Sequence, residues 1–138
     1  MKTISVPADV MKLYVDNKCP VGNIQKQFNG FYPFLKLEFF TTQLTDKNFF
    51  KATPLACESV KHLFSKNLEG TINVAKARTV AEVENDFKTE FGLSAQIFRR
   101  LGNVWIETTL TDDWTLEKQN KEGEQISSHF TNKLSKGL

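Results

Sequence analysis

Two arginines and two tryptophans are the best candidates in the sequence for residues that bind a partner or ligand. Arg99 and Arg100 are adjacent, and Trp105 and Trp114 follow shortly after them. Arginine and tryptophan dominate the binding energy of many protein interfaces. Alternation along a hairpin would bring the side chains of Arg99 and Trp105 onto one face. In the structural interpretation, which we favour because large aromatic side chains are usually packing residues, both tryptophans fill the core and both arginines are solvated at the end of the hairpin.

Cysteine and histidine form no pattern typical of a metal site or a nucleophile. Cys19, Cys57, His62 and His129 lack the spacing of a zinc ligand set. We therefore interpret both cysteines as small buried side chains. Cys19 is the better candidate for a nucleophile, because it precedes a predicted helix start, where the helix dipole stabilises a thiolate.

Asp112 and Asp113 have two interpretations. As paired carboxylates they could act as general acid and base or bind a metal ion. Directly before Trp114, they would also stabilise the N-terminus of a helix, which requires no third partner, so we favour this structural role. The chain has no Gly-rich phosphate loop, Gly-x-Ser-x-Gly elbow or His-Glu-x-x-His motif. We therefore expect no catalytic residue, metal or cofactor, and favour a protein that is not an enzyme.

An offset of 59 residues aligns the two halves of the chain and predicts an internal repeat. Seven aligned pairs are apolar in both halves: Leu13/Ile72, Val15/Val74, Val21/Val80, Ile24/Val83, Phe28/Phe87, Tyr32/Phe91 and Phe34/Leu93. Beyond them the second half carries one extra residue, so that Phe39 aligns with Arg99. The offset then returns to 59, and Trp114 aligns with Leu55. The repeats are 11–68 and 70–127, within one domain over residues 1–127.

Periodicity and turn residues predict the order strand, helix, strand, strand, helix in each repeat. The clearest helix has a capping box at Thr79 and Glu82 and an apolar stripe that includes Phe87. We expect Phe28 and Phe87 to be the most deeply buried side chains. The other predicted elements are a helix from Pro20 to Tyr32, strands at 12–16, 35–39, 71–75 and 95–99, a weak return strand at 49–50, a hairpin over 100–109 and closing helices from 53 and 111.

The predicted fold class is α+β. It consists of a tandem duplication of a β-α-β-β-α unit, with a mainly antiparallel sheet and helices packed on one face. Residues 128–138 are predicted to be a flexible tail, since they have no counterpart in the first repeat.

The second half resembles a known sequence family. The pattern Thr79-Val80-x-x-Val83-x-x-x-Phe87-x-x-x-Phe91-Gly92, followed by a strand that ends in Phe98-Arg99, is similar to a motif of small uncharacterised bacterial proteins of the Bacteroidetes type. The motif consists of core positions. The resemblance implies a bacterial cytoplasmic protein and carries over no activity and no catalytic residue.

Composition and charge narrow the class of function. The 138 residues are 40% apolar and 25% charged, as in an ordinary globular domain. A net charge of +2 is far below the basic excess that phosphate binding requires, which argues against nucleic acid as a partner. Short apolar runs predict neither a membrane span nor a signal peptide, and we expect a cytoplasmic protein.

Two functions of different classes follow. The favoured one is a non-catalytic protein-interaction or binding module, in which the hairpin around Trp105 or an exposed edge strand pairs with another protein or with a second copy in a homodimer. The alternative is a small-ligand or anion-binding protein or enzyme with a site between the two repeats, where Arg99 or Arg100 binds an anionic group.

Overall fold

The computed structural model describes the backbone of residues 11–16, 21–44, 50–54 and 69–136, and the side chains of residues 11–15, 21–40 and 69–128. The elements follow in the order β1 Lys12–Asp16, α1 Val21–Phe31, β2 Leu35–Leu44, β3 Phe50–Pro54, β4 Glu69–Asn73, α2 Val80–Phe91, β5 Ser94–Leu101, β6 Val104–Glu107 and α3 Leu116–Lys136. A 3-10 helix, Thr109–Thr111, connects β6 to α3. Every described strand pair is antiparallel, so the predicted α+β class with antiparallel sheets is confirmed.

The strands form two sheets, each centred on a pair of aligned residues. β1 pairs with β4, and a four-stranded sheet has the order β3-β2-β5-β6. Leu13 lies opposite Ile72 in the first sheet, and Leu37 lies opposite Ile97 in the second. Both are pairs that the sequence alignment of the two halves superimposes. The register is symmetric about each of these central pairs. Two residues that the alignment matches lie at equal distances on opposite sides of the central pair, one on each strand.

The inner face of the four-stranded sheet packs against α1 and α2. Its buried residues are Leu35, Leu37, Phe39 and Ile97. Phe39 meets Phe87 of α2 in an edge-to-face contact, with ring centroids 5.1 Å apart. Phe28 and Phe87 are both 0% exposed, which confirms that they are among the deepest side chains. This face is therefore the principal apolar core of the described residues.

The ends of α2 are determined by its sequence, as predicted. The amide of Glu82 donates to Thr79 Oγ1 at 3.2 Å, and the amide of Thr79 donates to Glu82 Oε1 at 2.8 Å, which completes the capping box. The bond from the Thr79 amide, together with one that Thr79 Oγ1 donates to Glu82 Oε1 at 3.1 Å, lowers the pKa of the Glu82 carboxyl. At the other end Gly92 has φ 67°, a left-handed conformation that favours glycine.

Two boundaries near the strands differ from prediction. β4 begins at Glu69 rather than at residue 71 and ends at Asn73, because Asn73 Oδ1 accepts the amide of Ala75 and turns the chain. Thr53 and Pro54 do not begin a helix, since they are the last residues of β3. A proline is tolerated there because β3 is an edge strand of the sheet.

The backbone of the predicted tail is helical up to Lys136, and the flexibility of this segment stays a prediction. α3 runs without interruption to Lys136. The apolar residues Ile126, Phe130 and Leu134 recur every four residues and continue the helical pattern. The start of α3 is also later than Trp114, because the carbonyl of Trp114 accepts the amide of Val80 at the beginning of α2.

Candidate functional site

The four predicted binding residues form two clusters on opposite faces of the β5–β6 hairpin. Arg99 and Arg100 are successive residues of β5, so their side chains point to opposite faces. Trp105 lies opposite Arg100, whereas Arg99 lies opposite Ile106. The expectation that Arg99 and Trp105 share a face is therefore wrong, because the two-residue turn between β5 and β6 sets a different register.

Trp105 is at the centre of an aromatic and basic cluster on the outer face of the four-stranded sheet. Lys36 Nζ lies 5.3 Å from the ring centroid of Phe98 and 5.4 Å from that of Trp105. Arg100 Cζ lies 5.5 Å from the Trp105 centroid. We call Lys36, Phe98, Arg100 and Trp105 the outer patch. Two cations therefore flank one indole, an arrangement that favours cation–π attraction.

The strands position the outer patch through cross-strand neighbours. Lys36 of β2 lies opposite Phe98 of β5, and Arg100 lies opposite Trp105 of β6. Glu38 is 3.6 Å from Lys36, and Arg100 Nε donates to the carbonyl of Gly102 at 2.8 Å. The patch is therefore amphipathic, with aromatic rings, two cations and an adjacent carboxylate.

All four side chains of the outer patch are half-buried. The cation–π contacts of Trp105 in the described part of the chain come from within the sheet, from Lys36 and Arg100. Sequence reasoning identified Arg100 and Trp105 and missed Lys36 and Phe98. The alternation of Lys36 with buried leucines indicated an outward side chain, but only the pairing of β2 with β5 brings it to Trp105.

Arg99 belongs to a second, polar cluster between β5 and the beginning of α3. Its Nη1 donates to Gln119 Oε1 at 3.0 Å, and its Cζ lies 5.5 Å from the ring centroid of Trp114. Gln119 is 0% exposed, and its Nε2 donates to the carbonyl oxygen and to Oγ1 of Thr111 at 2.7 and 2.8 Å. The two bonds to Thr111 orient the amide so that its oxygen faces Arg99.

A second cation lies over the same tryptophan. Lys118 Nζ is 4.1 Å from the Trp114 centroid. Within the described ranges, neither Arg99 nor Lys118 has a carboxylate at ion-pair distance, and Arg99 Nε is buried without a hydrogen-bond acceptor. We call Arg99, Thr111, Trp114, Lys118 and Gln119 the inner cluster.

Close packing of α3 against the sheet fixes the position of Arg99. A Cβ at Gly123 would lie 3.0 Å from Phe34 Cβ and 3.1 Å from Arg99 Cγ. Asn120 Oδ1 accepts the amide of Phe34 at 2.9 Å. The absence of a side chain at Gly123 therefore lets α3 approach the strand that carries Arg99.

Asp112 and Asp113 do not provide the side-chain cap of α3. Thr115 Oγ1 accepts the amide of Lys118 at 3.1 Å at the beginning of that helix. The backbone carbonyl of Asp112 instead accepts the amide of Ala81 in the first turn of α2 at 2.8 Å. The segment before α3 thus caps α2 through its backbone, while the electrostatic role of the two carboxylates stays a prediction.

Glu84 is a titratable group that sequence reasoning missed. Its Oε2 accepts the amide of Ile97 at 2.8 Å. The pKa of the Glu84 carboxyl is raised to about 7, mainly by burial; the bond from Ile97 opposes this shift and the charge of Asp112 adds to it. The aligned residue of the first half, Gln25, donates to the carbonyl of Leu37 at 2.9 Å. The sequence signal that could have identified Glu84 is its alignment with a neutral residue, Gln25, in the first half.

Among the described residues, no group of three or more His, Cys, Asp or Glu side chains converges as a metal site. Cys19, Cys57 and His62 lie outside the described residues, as does the side chain of His129. Their interpretation as structural residues, and that of Cys19 as the better nucleophile, stay predictions.

An open depression of about 410 Å³ lies over β1 and β4, where the two halves meet. Its described lining consists of Tyr14, Val15, Glu69, Gly70 and Thr71. Neither predicted arginine lines it. This depression is therefore not the site predicted for Arg99 or Arg100, and an anion site between the halves stays a prediction.

Comparison with protein-family models, with curated proteins and with solved structures finds no match to the chain. The resemblance to small bacterial proteins accordingly stays a prediction. Among the described helices, none combines the length and the apolar composition needed to cross a bilayer.

Proposed function

We propose that this protein is a non-catalytic interaction module that binds another protein chain through the outer patch. The observation that carries the proposal is that Lys36 and Arg100 both lie within 5.5 Å of the Trp105 ring centroid, on the sheet face opposite the apolar core. Tryptophan and arginine at the centre of a surface cluster are the residues most often found to dominate interface energetics.

The composition of the outer patch favours a protein over a nucleic acid. Glu38 partly balances Lys36, so the face lacks the basic excess that a phosphate backbone requires. Aromatic rings beside a mixture of charges are typical of the centre and rim of protein interfaces. Half-burial of the four side chains also means that little conformational entropy is lost when a partner covers them.

A second copy of the chain is one partner that the charge distribution supports. Residues 1–68 carry nine lysines and five acidic residues, a net +4, whereas residues 69–138 carry nine basic and eleven acidic residues, a net −2. Opposite net charges on the two halves would assist head-to-tail association. The homodimer and the complex with a different protein are two arms of the same test.

A duplicated origin of the two halves is also proposed, and hydrogen bonds at aligned positions support it. Gln27 Nε2 donates to the carbonyl of Tyr14 at 3.1 Å. In the second half the residue aligned with Gln27 is Asp86, which pairs with Arg78, and Arg78 Nη1 donates to the carbonyl of Asn73 at 3.1 Å. Tyr14 and Asn73 are aligned too. Aligned helix residues, Gln27 and Asp86, therefore reach aligned backbone carbonyls. Gln27 contacts its carbonyl directly, whereas Asp86 does so through Arg78.

A cytoplasmic, bacterial setting belongs to the same proposal. Its support is the small number of cysteines and the sequence pattern from Thr79 to Arg99. Fractionation of the source cell with an antibody against the full chain would test it, and recovery in a membrane or secreted fraction would contradict it.

The interaction proposal is tested by comparing the wild type with Trp105→Ala and a matched control, Tyr14→Ala. Tyr14 is an aromatic residue that is 66% exposed on the other sheet, so its loss removes a similar surface elsewhere. Light scattering after size exclusion measures self-association. Cross-linking in cells, followed by titration with the purified cross-linked protein, measures association with a different chain.

We expect binding by the wild type and by Tyr14→Ala, and a loss of at least about thirtyfold for Trp105→Ala, which corresponds to about 2 kcal/mol. The proposal is contradicted if the wild type is strictly monomeric and binds nothing. It is equally contradicted if Trp105→Ala binds as tightly as Tyr14→Ala.

A further inference from the structure

The inner cluster is polar where the first half of the chain is apolar. Four members of this cluster are in contact with one another. The residues aligned with them in the first half are all apolar: Phe39 for Arg99, Ala52 for Thr111, Leu55 for Trp114 and Val60 for Gln119. Phe39 is fully buried in the core. A single polar replacement of this kind would leave an unpaired buried group, so Arg99, Thr111 and Gln119 form one connected unit beside Trp114.

Such a network is costly to bury unless its hydrogen bonds are satisfied. Gln119 is satisfied, because both its oxygen and its nitrogen have partners. Arg99 is not. Its guanidinium has five N–H donors and a positive charge. Among the described residues it donates to the neutral oxygen of Gln119, and its Nε is buried without an acceptor.

We propose that Arg99 binds an oxyanion, the phosphate or carboxylate group of a ligand, with Lys118 as the second cation. The guanidinium offers a planar fork that matches both groups. Trp114 provides an apolar wall within 5.5 Å of Arg99 Cζ and 4.1 Å of Lys118 Nζ, which strengthens electrostatic attraction beside it. Gln119 is a positioning residue, since its orientation is fixed by Thr111 and in turn fixes Arg99.

This site is independent of the proposed interaction through the outer patch. Arg99 and Arg100 lie on opposite faces of β5, so a ligand at one does not contact the other. The site also differs from the anion site expected between the two halves, because all five members of the inner cluster come from the second half.

Trp114 is a built-in reporter for the test. The chain has two tryptophans, so the variant Trp105→Phe leaves Trp114 as its only indole. This full-length variant is titrated with inorganic phosphate, with acetate and with chloride at constant ionic strength, and Trp114 emission and the unfolding temperature are followed. We expect a saturable emission change and a higher unfolding temperature with phosphate or acetate, but not with chloride. Saturation with phosphate alone assigns a phosphate-bearing ligand, and saturation with acetate assigns a carboxylate.

Three substitutions in this background identify the binding residues. Arg99→Gln should weaken binding about tenfold or more, since it removes the charged fork. Lys118→Gln, at an exposed position where folding is not at risk, should weaken it several-fold. Lys88→Gln removes the same charge at an exposed position of α2, outside both clusters, and is the matched control, so it should leave binding unchanged.

The inference is overturned if neither phosphate nor acetate produces a saturable change. It is also overturned if Lys88→Gln weakens binding as much as Arg99→Gln, which would indicate a general charge effect. If Arg99→Gln does not fold, Lys118→Gln provides the test. Binding by Lys118→Gln that equals binding by the Trp105→Phe background contradicts the site, whereas weaker binding by Lys118→Gln, with binding by Lys88→Gln unchanged, supports it.

Discussion

The Glu84 carboxyl makes a quantitative prediction about how stability depends on pH. The amide of Ile97 donates to this carboxyl at 2.8 Å, and burial raises its pKa from 4.5 to about 7. A group whose pKa is higher in the folded state stabilises the fold fully below its unfolded pKa and loses this contribution as the pH rises through the folded pKa. The wild type should therefore lose stability between about pH 4.5 and pH 7 as Glu84 ionises.

The variant Glu84→Gln removes this titration and keeps the shape of the side chain. Its amide oxygen can still accept the amide of Ile97. Each pKa unit corresponds to about 1.4 kcal/mol, which sets an upper limit of about 3.4 kcal/mol for the full change. Because Glu84 is only half-buried and solvent screens its charge, we expect a gain of about 1–2 kcal/mol above about pH 8 and none near pH 4.

Urea unfolding followed by circular dichroism across this pH range measures the difference. Glu82→Gln is the control on the same helix. The pKa of Glu82 is lowered by its bonds to Thr79, so its contribution is present above its unfolded pKa and is lost as the pH falls. Glu82→Gln should therefore lose stability at high pH, the opposite sign. Equal pH profiles for the wild type and Glu84→Gln would refute the burial and contacts assigned to Glu84.

Three further predictions concern packing and capping and are checked by the same unfolding measurement. Phe87→Ala should cost about 3–5 kcal/mol, because it leaves a cavity against Phe39; a cost below about 1 kcal/mol would contradict the buried position. Thr79→Ala should cost about 1 kcal/mol through loss of the capping box, and an unchanged midpoint would contradict the cap. Gly123→Ala should destabilise the fold by about 1 kcal/mol, because its Cβ would meet Phe34. Gly30→Ala, with open space around it, should instead stabilise the fold by about 0.5–1 kcal/mol. Equal effects of the two substitutions on stability would contradict the close approach of α3.

Local signals predicted the parts of the fold that local physics determines. The spacing of Val80, Val83 and Phe87 and the Thr79 capping box identified α2, and β1 has its predicted bounds. The boundaries that differ depend on tertiary contacts. Pro54 ends a strand because β2 pairs with its neighbours, and Trp114 stays outside α3 because its carbonyl caps another helix.

Only two of the four residues of the outer patch could be predicted from the sequence. Arg100 and Trp105 stand out by residue type, but their partners Lys36 and Phe98 follow from the pairing of β2 with β5, which no local pattern encodes. The register of the β5–β6 hairpin separated Arg99 from Trp105, since a shift of one residue moves a side chain to the other face. Alignment of the two halves was the more useful guide, because it marked Arg99 and Trp114 as residues that the core did not require.

The most direct test of the central claim is the accessibility of Trp105 in the complex. The variant Trp114→Phe leaves Trp105 as the only indole, and acrylamide quenching of its emission is measured for the free chain and for the chain bound to its partner or to a second copy. We expect quenching to decrease several-fold on association, because the partner covers the half-buried ring. Quenching that is the same in the free and the bound chain would contradict the assignment of the outer patch as the interaction surface.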